Sequence, residues 1–343
     1  MTISQPILQS VSNDLELSMK ALQTLARISF IALSLIGASA SVVASGYPDR
    51  PVKVVVGFPA GQSTDLRARM LAQGMATLLK QAVIVDNRPG AAGGTSHVAV
   101  KNAPPDGYTL VMGTAGTLAI NPSLYDKLPY DPIKDFEPVA LFAGSPMVLF
   151  TSIASPVNNY REFVAHVSAR PPGTITYGSA GSAAHIAMEM LKKQAGLDLL
   201  RVPYKGSPQM ITDLIGGQID FAFEPIGTLL PLLKGGRVKI LGFGSLNRNP
   251  ALPHLPTLAE QGLTGFEAVS WTAILAPKGT PATIVQQLNE AIDKVVKDPA
   301  IVEEFARNGS FPMGGTAAAA GKYIREENAR WGKAVKAAGA QAD

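Results

Sequence analysis

Apolar and polar positions along this chain follow two rhythms that alternate. Val52-Lys-Val-Val-Val-Gly-Phe58 is an apolar, β-branched run of the kind presented by a strand buried on both faces. The tight loop 59–65 follows, opening a predicted helix whose apolar residues Leu66, Met70, Leu71, Met75 and Leu78 recur at helical spacing. Residues 82–86 read as a second strand, leading into Asn87-Arg-Pro-Gly-Ala-Ala-Gly-Gly94 and a short helix. A third strand is expected over 109–112, after the turn Pro105-Asp-Gly107. Strands that alternate with helices predict an α/β fold on a parallel sheet.

At 139–151 a long apolar run, interrupted by Gly144-Ser-Pro146, suits a crossover from one lobe to another. A second α/β set is predicted beyond it, with strands at 175–177, 200–204, 219–223 and 238–243. Helices fall near 183–194, 208–215 and 226–234, with Gly216 and Gly235 in C-cap positions. Residues 268–276 look like the return crossing. Thr280-Pro281 then offers an N-cap and an N1 proline to a helix striped by Ile284, Leu288, Ile292 and Val295. Asp298-Pro299 starts another helix, and 316–338 reads as a charged terminal one. The expected organisation is lobe 1 over 46–148 plus 272–343 and lobe 2 over 149–271. Two α/β lobes joined by two crossings make a clam-shell that binds ligand in the cleft at the strands' carboxyl ends.

Residues 1–45 do not read as part of a lobe. A basic stretch ending at Arg27 precedes about ten apolar residues from Ile28, then the small residues 38–45. That order is a secretory signal, and the apolar part is too short to span ~30 Å of hydrocarbon. The 18 residues before Met19 look like an upstream-start extension. Removing Lys20, Arg27, Asp14 and Glu16 with the leader leaves the net charge of +4 unchanged. A periplasmic product is expected.

The 343 residues are 46% hydrophobic and 16% charged, enough for a two-domain core and too apolar for a disordered chain. With no cysteine, disulfides, thiolate metal sites and cysteine nucleophiles are excluded. His97, His166, His185 and His254 are scattered, so neither a metal site nor a cofactor is expected. Basic residues are dispersed rather than clustered, which argues against nucleic acid as a partner.

The candidate chemistry lies in loops that leave strands and enter helices. Pro59-Ala-Gly-Gln-Ser-Thr-Asp65 ends in a helix N-terminus, whose amides and dipole attract an anion; Ser63 and Thr64 add hydroxyls and Asp65 caps the helix. An ordinary βα turn would look the same in isolation. Asn87–Thr95 is glycine-rich but lacks the Walker Lys-Ser/Thr and the G-x-G-x-x-G spacing. Gly113-Thr-Ala-Gly-Thr-Leu118 and Gly178-Ser-Ala-Gly-Ser-Ala-Ala-His185 are matching small-residue loops after predicted strands. His185 is either a ligand contact or base, or a packed helix residue. Glu224 either meets a ligand amine or braces a hinge. Trp271 is expected to pack in the core. Enzymatic signatures are missing: Gly178-Ser-Ala-Gly-Ser lacks the spacing of a nucleophile elbow, and no His-Glu-x-x-His occurs.

Taken in order, several stretches resemble the periplasmic solute receptors of tripartite tricarboxylate transporters, often called Bug receptors. They are Tyr47–Gly61, Asn87–Gly94, Pro105–Leu110, Tyr177–His185, Val202-Pro-Tyr-Lys-Gly206, Asp213–Gly217, Leu275-Ala-Pro277 and Arg330-Trp-Gly-Lys333. The resemblance implies a two-lobed, type II periplasmic-binding fold with two crossover strands that closes over a small mono- or dicarboxylate. It implies that the first loop holds one carboxylate through Phe58, Ala60, Gly61, Ser63, Thr64 and Asp65, helped by bridging waters. Distal contacts are expected from Thr114, Gly116 and Thr117, from Ser179, Gly181, Ser182 and His185, and from Phe223, Glu224 and Pro225. The family pattern has a second glycine where this chain has Gln62, whose side chain is expected to narrow the pocket or donate to the ligand. The implied partners are membrane permease subunits, and the receptor itself is expected to be a monomer rather than an enzyme. The alternatives are a sensing partner of a sensor kinase and a hydrolase on the same scaffold.

Overall fold

In a computed structural model the described residues are 46–340, so the export signal expected over 1–45 lies outside them. β1 (Val52–Val56) is followed by α1 (Ser63–Leu79), β2 (Val83–Asn87), α2 (Gly94–Lys101) and β3 (Thr109–Thr114). β1 pairs in parallel with β2 on one side and β3 on the other, as the alternating rhythm predicts. α1 lies on the sheet through Ala68, Leu71, Ala72 and Met75, while Leu66 and Leu78 are 50% and 44% exposed. The expected stripe is thus displaced: the 68, 71, 72, 75 set is itself one helical face, and its alanines let the helix approach closely.

A tight turn at 116–120 leads into the one-turn α3 (Asn121–Leu124), and β4 (Phe136–Ser152) then crosses the molecule. The second half comprises α4 (Tyr160–Ser168), β5 (Thr176–Ser179), α5 (Ser182–Ala195), β6 (Leu200–Pro203), α6 (Ser207–Ile215), β7 (Phe221–Pro225), α7 (Ile226–Lys234) and β8 (Val238–Phe243). β9 (Val269–Pro277) returns, followed by α8 (Ala282–Lys297), α9 (Pro299–Arg307), β10 (Phe311–Gly314) and α10 (Ala317–Ala338). The strand order is β2-β1-β3-β9-β4-β7-β5-β6, with β8 and β10 also on β4. Residues 136–146 of β4 run antiparallel to β9, and residues 147–152 pair with β7 and β8. The register slips twice between Pro138 and Ala143, and such bulges bend and twist a strand as it passes between two layers.

Apolar faces are buried separately in each half. Val55, Val111, Phe136, Trp271, Ile324 and Trp331 form one core, and Phe163, Tyr177, Met188, Phe221 and Phe223 another. Trp271 is fully buried, as expected, and donates from Nε1 to Glu327 on α10 (2.8 Å). Ile284, Leu288, Ile292 and Val295 bury the predicted face of α8. Its N-cap, however, is Pro281 rather than Thr280, whose hydroxyl donates back to the Pro277 carbonyl (2.8 Å). β10 carries no sequence signal of its own, because its four residues, Phe311–Gly314, show no periodicity.

Candidate functional site

Four helices of eight residues or more begin at one cavity between the two halves. Ser63 and Thr64 come from the start of α1, Ser182, Ala183 and Ala184 from α5, Ser207 from α6 and Thr228 from α7. The first amides of a helix have no intrahelical acceptor and carry the positive end of its dipole. Phe58, Gln62, Thr114, Gly116, Gly181, Glu224 and Pro225 complete the predicted residues that reach this cavity. Ser207, Thr228, Met147 and Ser270 also line it and were not foreseen.

The other predicted residues lie elsewhere. Ala60 is exposed, and Gly61 lines an adjoining groove that shares Gln62, Ser207 and Thr228 with this cavity. The Gly61 amide donates to Asp65 Oδ2 (2.9 Å), so this pair ties the loop internally. A Cβ on Gly61 would meet no other protein atom within 4 Å, and its φ of +82° favours glycine. Asp65 also accepts from Asn87 Nδ2 (2.9 Å) and Arg69 Nε (2.9 Å). Burial would raise its pKa, but Arg69, the Gly61 amide and Asn87 hold it below the usual carboxylate value. Thr117 closes the 114–117 turn by accepting from the Thr114 amide (2.9 Å). His185 meets the Tyr177 hydroxyl at Nδ1 (3.0 Å), and Phe223 is in the core.

Glycine at 57 has a steric cause, since a Cβ there would sit 2.5 Å from the Gly93 carbonyl oxygen. The two glycine-rich loops therefore pack backbone to backbone. The Phe58 ring stands between Gly93 and Gly181 and separates a second small cavity, which contains Ser179, Arg201, Tyr204 and Lys205. There Arg201 Nε donates to Ser179 Oγ (2.9 Å).

Among the described residues, no lysine or arginine lines the cavity between the halves, and Glu224 is its one ionisable lining residue. Glu224 is 4% exposed, and burial pushes its pKa up to about 8 despite the hydrogen bond that Ser207 Oγ donates to Oε1 (2.6 Å). Near neutral pH it is an uncharged acid, leaving the helix dipoles to set the potential. Such a site accepts an anion. Among the described residues no group of three His, Cys, Asp or Glu side chains is placed to hold a metal ion.

Residues 67–340 match the family model described as the tripartite tricarboxylate transporter family receptor. The chain belongs to this receptor family. It is 35% identical over 308 residues to Protein BugT of Bordetella pertussis, covering 89% of this chain and 94% of that protein. It is 34% identical to Rpa4515 of R. palustris, solved with adipate, covering 85% of this chain and 98% of that one with a TM-score of 0.83. MatC of Rhodopseudomonas palustris, solved with bound malate, is 32% identical with a TM-score of 0.80, over 84% and 100% of the two chains. The TM-scores show that these two solved proteins share the fold of this chain. No helix among the described residues is long and apolar enough to cross a membrane.

Proposed function

We propose that the protein is a periplasmic receptor, exported with loss of residues 1–45, that captures a small mono- or dicarboxylate and delivers it to the permease subunits of a tripartite tricarboxylate-type transporter. The observation that carries this reading is the convergence of four helix N-termini on a cavity without a basic side chain. A ligand with one full negative charge complements it, whereas a cation meets four positive dipole ends. The cavity volume is about 60 Å³. At roughly 10–15 Å³ per enclosed water on that measure, it suits an organic acid of few heavy atoms. The malate and adipate of the solved relatives belong to this chemical class. Binding without turnover fits the internal commitments of the polar groups: Ser207 bonds to Glu224, Ser182 to Asn121 and His185 to Tyr177.

Differential scanning fluorimetry against a panel of mono- and dicarboxylates tests this. A ligand at 100 times its Kd stabilises the fold by about 2.7 kcal/mol. At least one acid is expected to raise Tm in this way while amines and neutral sugars leave it unchanged. A panel in which no carboxylate raises Tm overturns the reading.

A further inference from the structure

Gln62 is the last residue before α1, and only 6% of it is exposed. Its side chain leans on the second half of the molecule, where a Cβ on Gly206 would stand 2.8 Å from Nε2. That amide nitrogen is buried and has no hydrogen-bond partner. In the same wall of the cavity, Thr228 Oγ1 is also buried without a partner, and the Glu224 carboxyl has one oxygen engaged by Ser207. Buried polar groups are almost always paired, and leaving a donor dry is costly. Three groups able to donate therefore line one cavity. A carboxylate has two oxygens and about four lone-pair positions.

We propose that Gln62, Thr228 and Glu224 form a second anion subsite that takes the far carboxylate of a dicarboxylate ligand. This rests on the carboxylate reading above and adds the identity of the ligand's other end. Glu224 takes part as the acid, donating its proton to the ligand oxygen while Ser207 supports Oε1. The other lining side chains that face it are neutral: Ser207 on α6, Thr228 on α7 and Gln62 from the first half. Val148 is its partner on β4. Among titratable groups on the packed elements, His185 and Glu189 on α5 bond to Tyr177, and Asp213 on α6 bonds to Tyr204. Asp220, just before β7, bonds to Thr176. Burial is the dominant influence on Glu224, and no neighbouring charge opposes it. An arriving carboxylate favours the acid further, because like charges at one site cannot both ionise. A dicarboxylate and the Glu224 proton are then held together.

The test is calorimetric titration with succinate, glutarate and adipate, each beside its half-amide, at pH 7 and pH 9. These diacids are dianions at both pH values, so a change reports the protein. With Glu224 titrating at about 8, dicarboxylate affinity should fall about tenfold between pH 7 and 9 while the half-amides change less. Glu224→Gln keeps a donor of the same shape and should bind the diacids with an affinity independent of pH. Gln62→Leu keeps the volume and should lose about tenfold for the diacids. Circular dichroism and melting curves establish that both variants fold. Equal affinities for diacid and half-amide, or a pH response that survives Glu224→Gln, overturn the proposal. So does binding confined to monocarboxylates, or to amino acids favoured at high pH, either of which leaves the carboxylate-receptor reading standing.

Discussion

His97 shows how a single buried residue sets the response of this protein to acid. It is fully buried, its Nδ1 lies 3.3 Å from the Gly93 carbonyl oxygen, and its ring stacks on Tyr130 at 4.8 Å. Burial lowers its pKa to about 4, so the folded state holds it neutral, whereas the unfolded chain protonates it near 6.5. The stabilising difference is therefore complete above pH 6.5 and is lost as pH falls from there toward 4. By pH 5 the loss is about 2 kcal/mol. Denaturant titrations at pH 7.5 and 5 should show it, and His97→Phe should remove most of this pH dependence. An unaltered acid response in that variant would assign it to the carboxylates. Residue-scale chemistry of this kind was only partly legible in the sequence. Ser63, Thr64 and Ser182 could be picked because each follows a strand and opens a helix. Gly61 and Asp65 have the same local signature, yet they bond to one another. Ser207 and Thr228 gave no signal, because their role depends on where α6 and α7 return in space.

At the scale of elements, α10 is fastened by one carboxylate. Glu327 accepts from the indoles of Trp271 (2.8 Å) and Trp331 (3.0 Å) and pairs with Arg330 Nε (2.6 Å). Burial alone would raise its pKa, but Arg330 and the two indoles hold it below the usual carboxylate value. Glu327→Ala leaves two buried indole N–H groups without an acceptor and strands Arg330. We expect it to cost about 2–4 kcal/mol in denaturant unfolding, with ligand affinity unchanged at temperatures where the fold persists. A loss below 1 kcal/mol would mean that α10 is held by its apolar face alone. Elements with a strong pattern were readable from the chain: β1 and β8 by apolar runs broken only by Lys53 and Lys239, α8 by its stripe. The predicted caps at Gly216 and Gly235 stand where expected, but the left-handed residues are the glycines that follow each, Gly217 and Gly236. α1 misled because alanines, poor markers of hydrophobic pattern, form its buried face.

Across the whole molecule, the halves meet through a few polar clasps as well as the crossing strands. Asn121, in the first half, accepts from Ser182 at the start of α5, and Asn249 Nδ2 donates to the Gly309 carbonyl (2.7 Å). A bond of this kind favours arrangements in which the two halves stay together, so its loss reduces the fraction of molecules competent to bind. Asn121→Ala should weaken every carboxylate that binds by one common factor, about fivefold if one hydrogen bond of about 1 kcal/mol is lost. Calorimetry over the same panel checks this, and factors that differ among ligands would place Asn121 in the recognition of a particular acid. The lobe pattern itself was foreseeable, since two long apolar crossings bracket a second α/β set.

The four converging helix starts have a consequence for how such a receptor diversifies. An anchor made of main-chain amides is rebuilt by any sequence that folds, so no single side-chain replacement abolishes it outright. The walls, by contrast, are made of side chains such as Gln62, Met147 and Thr228. Change can accumulate there, altering the shape and polarity of the cavity while the helix starts persist. The fold thus separates what must be kept from what is free to drift.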